Sequence, residues 1–354
     1  MSKIDMIREA LREQAYGAIL ITSPIGRLFA TGFSSTAGSL IITETDALFL
    51  IDSRYFEAAG KAIPDAVVRL SSKESPYHAQ AKAALDALGI GAVGFEDGSV
   101  SYADYLFWED KLERKLVPAS KLLNSLRAVK SRDDLAGMIR AQRLAECSFD
   151  EILPLIGTGI TEKQLAAELI YRCLRNGADD LSFDPIVVSG PRSSMPHGVP
   201  GHGVISRGFL TIDFGVKLDG WCSDTTRTLC VGPPDGEMAA IYEIVLEAQL
   251  AGIASVRAGV CGKDVDAAAR SVIEKAGYGD RFGHGFGHEI GLEVHETLKA
   301  APSSEDTLPA GAMISAEPGI YLPGRFGVRI EDTLFITEDG SENITKLPKS
   351  LTVI

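Results

Sequence analysis

The sequence predicts two domains, an α/β N-terminal domain over residues 1–129 and an α+β domain over 130–354. Three observations predict it. At 354 residues the chain is longer than one ordinary hydrophobic core fills. Its first third alternates helical and strand-like apolar patterns, as α/β layering requires. The remainder mixes amphipathic helices with hairpin signals, which describes an antiparallel α+β arrangement rather than a doubly wound one.

The elements follow in order. MSKIDMIREALREQ (1–14) spaces its apolar residues as an amphipathic helix. AILIT (18–22), SLIIT (39–43) and ALFLID (47–52) read as strands. AQAKAALDALG (79–89) reads as a helix stopped by glycine, and GAVGFE (91–96) as a strand. From 122 to 156 the pattern is helical. Within it Ser131, followed by Asp133 and Asp134, makes an N-cap with an acidic first turn. The domain boundary is placed there, near Val129–Ser131. Further helices are expected at 162–176 (capped by Thr161), 236–257 and 263–276, and strands at 209–217, 221–231, 312–317 and 327–336. The Gly-, Pro- and His-rich segment SMPHGVPGHGVISRG (194–208) is either a mobile connection or the wall of a site.

Composition excludes several classes. With 45% hydrophobic and 23% charged residues the chain reads as a soluble globular protein. A net charge of -13 opposes binding to nucleic-acid phosphates or anionic membranes. No run of 18 apolar residues offers a membrane span, and the N-terminal helix lacks a signal peptide's apolar core. The five scattered cysteines contain no C-x-x-C, so a disulfide framework is not expected and a reducing cytoplasm is.

GHGFGHEIGLEVHE (283–296) holds three of the six histidines and three glutamates. His288-Glu289 opens like the zinc-protease motif H-E-x-x-H, but position 292 is Leu, and four glycines disfavour a helix. The partners of these histidines must lie elsewhere in the chain. One pair comes from FLTIDFGVKLDGWCSDTTRTLCVG (209–232). If Asp219-Gly220 is a two-residue hairpin turn, Leu218 pairs with Trp221 and Asp213 with Thr226. Asp224 then lies on the face of Asp213, diagonal to it and roughly 7–8 Å away. Two such carboxylates repel unless a cation sits between them. The alternative, a solvated face, fits poorly with neighbours Leu210, Ile212 and Phe214. A second acidic pair follows: Glu317 ends one apolar strand and Glu331 sits inside another, where Glu is uncommon. For Glu331 alone, a salt bridge to Arg329 or Arg325 is the competing explanation.

Taken in order, FDPIVVSGPRSSMPHG, TIDFG, CSDTTRT, GHGFGHEIGLEVHE, AEPGIY and VRIED resemble the pita-bread metallopeptidases. Within them the likeness is to the proline-specific group, Xaa-Pro dipeptidase (prolidase) and aminopeptidase P. The first third, with LFATGFSSTAGSL and LIDSRYFEAA, is similar to that group's smaller N-terminal domain, of the creatinase/prolidase type. The resemblance implies a pita-bread (creatinase/aminopeptidase-like) catalytic domain. It implies two divalent metal ions held by Asp213, Asp224, His288, Glu317 and Glu331. An oxygen-rich set of this kind suits Mn²⁺ first, with Co²⁺ or Zn²⁺ also accommodated.

The resemblance further implies hydrolysis of Xaa-Pro bonds in short proline-containing peptides by a metal-bridging hydroxide. Glu317 would move the proton, and His197 and His295 would act on the scissile bond. His284 would be a pocket-wall residue, or simply a satisfied histidine. Arg329 would orient the Glu331 carboxylate. Where prolidases often carry Pro-Arg this chain has Leu298-Lys299, and Lys299 would hold the substrate carboxylate without a bidentate fork. Phe286 and Glu289 stand where small residues are common, and Glu289 is expected to point to solvent. His78 and His202 read as surface or loop residues. A homodimer is implied by analogy alone. A creatinase-like C–N hydrolase or lyase, or a non-catalytic binding protein, remains the alternative on the same scaffold.

Overall fold

In the computed structural model all residues, Met1–Ile354, are described, and they fall into two units, Met1–Arg127 and Ala128–Ile354. The first begins α1 (Lys3–Leu11), β1 (Ala18–Ile21), α2 (Pro24–Thr31), β2 (Ser39–Thr43), β3 (Ala47–Ile51) and α3 (Phe56–Ala62). It continues β4 (Val67–Leu70), α4 (Tyr77–Ala87), β5 (Ala92–Phe95), α5 (Tyr102–Leu112), β6 (Lys115–Pro118) and α6 (Ser120–Ala128). One mixed sheet runs β4-β3-β2-β1-β5-β6. Central β1 pairs antiparallel with β2 and parallel with β5. β1, β2 and β3 are buried at every residue, which is why their sequences are continuous apolar runs. The sequence reading did not anticipate α2, α3, β4, α5 and β6. β4 is an edge strand with Val67 and Leu70 exposed, so it carries no buried alternation to detect.

The second unit starts with α7 (Arg132–Asp150) and α8 (Glu162–Arg175). The helical pattern of 122–156 is therefore cut, and Ser131 forms a capping box with Asp134 at the cut. Thr161 does the same with Gln164 for α8. Next come β7 (Asp180–Leu181), β8 (Ile186–Ser189), β9 (Gly208–Phe214), β10 (Val216–Leu218), β11 (Trp221–Cys222) and β12 (Thr225–Val231). Helices α9 (Gly236–Ser255) and α10 (Gly262–Lys275) follow. The chain ends with β13 (Gly287–His288), β14 (Lys299–Ala300), β15 (Met313–Ala316), β16 (Gly319–Leu322), β17 (Phe326–Arg329), β18 (Asp332–Ile336) and β19 (Ser341–Asn343). By length and hydropathy α9 alone could cross a membrane. Here its Ile241, Val245 and Ala248 join Ile273 of α10 and Ile314 and Val328 of the strands in one core.

The pairings between strands in this unit are antiparallel: β12-β9-β8, β11-β10-β7, β15-β18-β19, β13-β14 and β16-β17; an isolated parallel bridge joins Cys230 to Val353. The Asp219-Gly220 turn is present, with both residues at positive φ (52° and 85°), as a mirror-image hairpin turn requires. Leu218 faces Trp221 and Asp213 faces Thr226. The expected strands 209–217 and 221–231 are each broken once. Ser223 N donates to Val216 O (2.8 Å), and a Cβ on Gly215 would lie 1.9 Å from Ser223 O. The strand expected over 327–336 is also two strands. Glu331 lies in the break rather than inside a strand, because its N–H donates across to Thr226 O (3.1 Å).

Gly215→Ala should therefore destabilise the protein by about 2–4 kcal/mol, since the backbone it would strike cannot rotate away. Urea unfolding checks this; an unchanged midpoint would mean that the pinch relaxes freely.

Candidate metal centre and active site

Strand pairing delivers two of the acids. Asp213 projects from β9, and Asp224 sits immediately before β12, diagonal to it through the Asp213–Thr226 register. Glu317 follows β15, and Glu331 occupies the break between β17 and β18. His288 is brought in by β13, which pairs with β14. His288 Nε2 lies 3.5 Å from Asp224 Oδ2 and 3.3 Å from Glu317 Oε1. Ligand atoms of Asp224, His288 and Glu331 are all within 4.8 Å of one another. The His288 ring is oriented by Nδ1, 3.2 Å from Glu289 O, which leaves Nε2 facing the acids.

The four carboxylates are held by different devices. Arg329 Nη2 donates to Asp213 Oδ2 (2.5 Å), while its Nε donates to Thr226 Oγ1 (3.0 Å). Thr226 Oγ1 in turn donates to Glu331 Oε2 (2.7 Å). Arg329 was expected to orient Glu331; its ion pair is with Asp213, and it reaches Glu331 only through Thr226. Arg325 pairs with Glu237, so it is no partner of Glu331 either. Ser315 Oγ donates to Glu317 Oε1 (3.1 Å) and accepts from His288 N (3.0 Å).

Burial raises the pKa of Asp224, Glu317 and Glu331, and neighbouring carboxylates push Asp224 and Glu331 further up. Asp213 Oδ1 and Asp224 Oδ1 are buried without a hydrogen-bond donor. A largely buried cluster of four acids with one guanidinium and two orphaned oxygens fits divalent cations, whose charge and coordination would complete both.

All ten residues singled out in the sequence line one cavity of about 540 Å³: His197, Asp213, Asp224, His284, His288, His295, Lys299, Glu317, Arg329 and Glu331. The His288 and His295 rings are 4.1 Å apart, centroid to centroid. His284 is both a wall residue and a satisfied one: its Nδ1 is 2.9 Å from Gly285 O and its Nε2 2.9 Å from Tyr321 OH. Tyr321 OH also accepts from Arg329 Nη1 (2.8 Å), and burial pushes its pKa up to about 12. Lys299 is exposed at the cavity. The 194–208 segment is a wall, contributing Pro196, His197 and Val199.

The sequence reading missed four supports. Thr226, Ser315 and Tyr321 orient ligands or histidines, as described. Glu162, the first residue of α8, is buried and holds both ends of the His197 loop. It accepts from Ser189 N (2.7 Å), Arg192 Nε (3.0 Å) and Gly201 N (2.9 Å). A helix-start glutamate looks like any first-turn acid, so nothing in its local sequence signals that role. Glu289 is a correction: it is fully buried rather than solvent-facing, and Thr297 N, Leu298 N and Lys130 Nζ all donate to it.

This arrangement defines a metal-dependent hydrolase site, with acids and imidazole on one side of a cavity and free histidines beside them. The chain belongs to metallopeptidase family M24, whose model matches residues 136–338; a creatinase/prolidase N-terminal domain model matches residues 3–129. It is 38% identical over 354 residues to the uncharacterized peptidase YqhT of Bacillus subtilis, covering 99% of this chain and 100% of that one. The structure is similar to the Xaa-Pro dipeptidase from Bacillus anthracis, with a TM-score of 0.95, 38% identity and 99% of each chain covered. It is also similar to the X-Pro aminopeptidase from Thermotoga maritima, with a TM-score of 0.92, 34% identity and 98% and 100% covered. The protein is a metallopeptidase with the fold of these enzymes.

Two outcomes follow from the acid cluster. Arg329→Met should weaken metal binding about 10–100-fold, read by titration calorimetry on the folded protein. In metal-free protein the raised carboxylate pKa values mean that the folded state binds more protons than the unfolded one. Stability should then fall as pH rises through those folded pKa values and recover on acidification toward pH 5. The melting temperature of chelator-treated protein, measured from about pH 8 down to 5, should show that recovery; saturating Mn²⁺ should remove it.

Proposed function

We propose that the protein is a dinuclear-metal exopeptidase that hydrolyses Xaa-Pro bonds in short peptides, with Mn²⁺ as the first choice of metal. The observation that carries the reading is the convergence of Asp213, Asp224, His288, Glu317 and Glu331 in one cavity that His197 and His295 also line. The full-length likeness to an Xaa-Pro dipeptidase and an X-Pro aminopeptidase supports the substrate class. When bound, the cations supply an acidified water as nucleophile and polarise the scissile carbonyl.

The chain's own groups do the rest. Glu317 Oε1 is occupied by Ser315, which leaves Oε2 to take the water's proton and pass it to the leaving nitrogen. His295, packed on His288, donates to the oxygen of the attacked carbonyl as negative charge develops there. Burial lowers the pKa of His295, which favours its neutral form as the donor. His197, on the 194–208 segment that also lines the cavity, is assigned to the leaving nitrogen. That nitrogen, in a proline ring, has no hydrogen of its own and must be protonated before it departs. Phe183, Pro185 and Val294 give the cavity an apolar side for the ring.

Lys299 is placed to attract a substrate carboxylate as a point charge, which favours dipeptides. A creatinase-like hydrolase or a lyase remains the second reading on this scaffold. The reading extends to a reducing compartment, supported by five unpaired cysteines. It also extends to a homodimer, by analogy alone.

Metal-stripped protein reloaded with Mn²⁺, Co²⁺ or Zn²⁺ should cleave Ala-Pro and Met-Pro and leave Ala-Ala-Ala intact. Cleavage of Ala-Pro-Ala as well would assign it to the aminopeptidase type. Failure to cleave any of these peptides with metals bound would sink the reading. Glu317→Gln should cut kcat at least about 100-fold, because it removes the proton carrier; stopped assays at saturating Ala-Pro measure it.

A further inference from the structure

We propose that Lys130 is a positioning residue for His288 and His295, acting through a buried ion cluster that clips their loop shut. The inference rests on the peptidase reading for its consequence, though not for its geometry. Lys130 Nζ donates to Glu289 Oε1 (2.7 Å) and to Glu296 Oε2 (2.8 Å). The three side chains are 1%, 1% and 4% exposed. Glu289 immediately follows His288, and Glu296 immediately follows His295. One ammonium group thus ties together the residues next to both site histidines, 159 and 166 positions along the chain.

The cluster is built into the backbone on every side. Glu289 Oε2 accepts from Thr297 N (3.0 Å), Thr297 Oγ1 (3.2 Å) and Leu298 N (3.0 Å). Glu296 Oε1 accepts from Leu292 N (3.1 Å). Glu296 N donates to Glu289 O (2.9 Å), the same carbonyl that faces His288 Nδ1. Lys130 is itself fixed by its N–H, which donates to Gly311 O (2.8 Å). A Cβ at Gly291 would lie 2.7 Å from both Glu296 carboxylate oxygens, so a larger residue there would have to displace that carboxylate.

Without the ammonium, two buried carboxylates face each other uncompensated. The cheapest relief is to swing Glu296 outward, and that carries His295 away from His288. The loop ends would then be joined only by backbone bonds and by the bonds of Glu289 Oε2 to Thr297 and Leu298. Lys130 touches neither substrate nor metal; it sets the distance between two imidazoles that must act together.

The test uses full-length protein with histidine-labelled NMR and kinetics. There are only six histidines, so each ring signal can be assigned. In metal-free Lys130→Met, the His288 and His295 signals should move while those of His78 and His202 stay. In the Mn²⁺ enzyme Lys130→Met should lower kcat for Ala-Pro about 10–100-fold, as loss of a ligand-orienting partner does, with KM little changed. Combined with His295→Ala it should add less than about twofold, because the two act through one group. Should Lys130→Met not fold, Lys130→Met with Glu296→Gln restores the native net charge of the cluster, and it should fold with the His295 signal still displaced. Unmoved His288 and His295 signals in a folded variant, or losses that multiply with His295→Ala, would overturn the proposal. If the wild type cleaves no Xaa-Pro peptide while the signals still move, the substrate reading fails and the clip stands.

Discussion

Four carboxylates crowded along one cavity, three of them buried and Glu317 partly so, are the constraint on which the rest of the second unit depends. Each buried anion costs several kcal/mol to desolvate, and each raises the cost of the next. Arg329 offsets one charge through Asp213, and hydroxyls of Thr226 and Ser315 satisfy single oxygens of Glu331 and Glu317. What is left, including the orphaned Oδ1 atoms of Asp213 and Asp224, needs cations. Such a cluster survives folding only on a scaffold too stiff to let the acids spread apart. The antiparallel pairings and the core beneath them provide that stiffness. Arg227 adds to it by donating to Asp332 Oδ1 and to carbonyls of the C-terminal segment, fastening β12 to β18 behind the site.

Breaks in the strands matter as much as the strands. Side chains in a regular ladder alternate between faces, so a continuous strand aims a ligand only along its own normal. Asp213 can use that geometry because its face already points into the cavity. Asp224, Glu317 and Glu331 lie just outside ladder positions, where the backbone is free to turn each carboxylate toward a common centre. Gly215 permits one of these departures, and the bond from Glu331 N to Thr226 O marks another. The site is made where regular structure yields, on a frame that otherwise does not.

That distinction also explains what could be read without a structure. The hairpin register came from two local facts, the positive-φ chemistry of Asp219-Gly220 and the period of two, and both survive in the fold. The buried strands β1, β2 and β3 were legible for the same reason, because burial writes itself into consecutive residues. Glu289 was misjudged because adjacency to His288 says nothing about which way a side chain leaves the chain; its partner Lys130 is far away in sequence. Two residues of separation suggested a direct contact of Arg329 with Glu331; the fold gives its guanidinium an ion pair with Asp213 and lets it reach Glu331 through Thr226. Glu162 left no trace, for its role exists only once the His197 loop has folded back over it. Local rules specify elements and registers, whereas orientation of buried charge is a property of the assembled core.

Chemistry and specificity are consequently carried by different parts of the molecule. The acids and His288 sit at the ends of mutually bonded strands and can tolerate little displacement. The walls are the 194–208 segment with His197 and the connection between β13 and β14, residues 289–298. Each is tied down at a few points by one buried charge, Glu162 in the first and Lys130 in the second. A wall held at its roots can change its tip without disturbing the floor. On the proposed reading, the length of peptide accepted turns on charge and space at Lys299 rather than on the metal ligands. A lysine there attracts a carboxylate but does not demand the fixed geometry that a guanidinium fork would. On that reading the same ligand set would serve either length of substrate, and charge at the cavity wall would decide which.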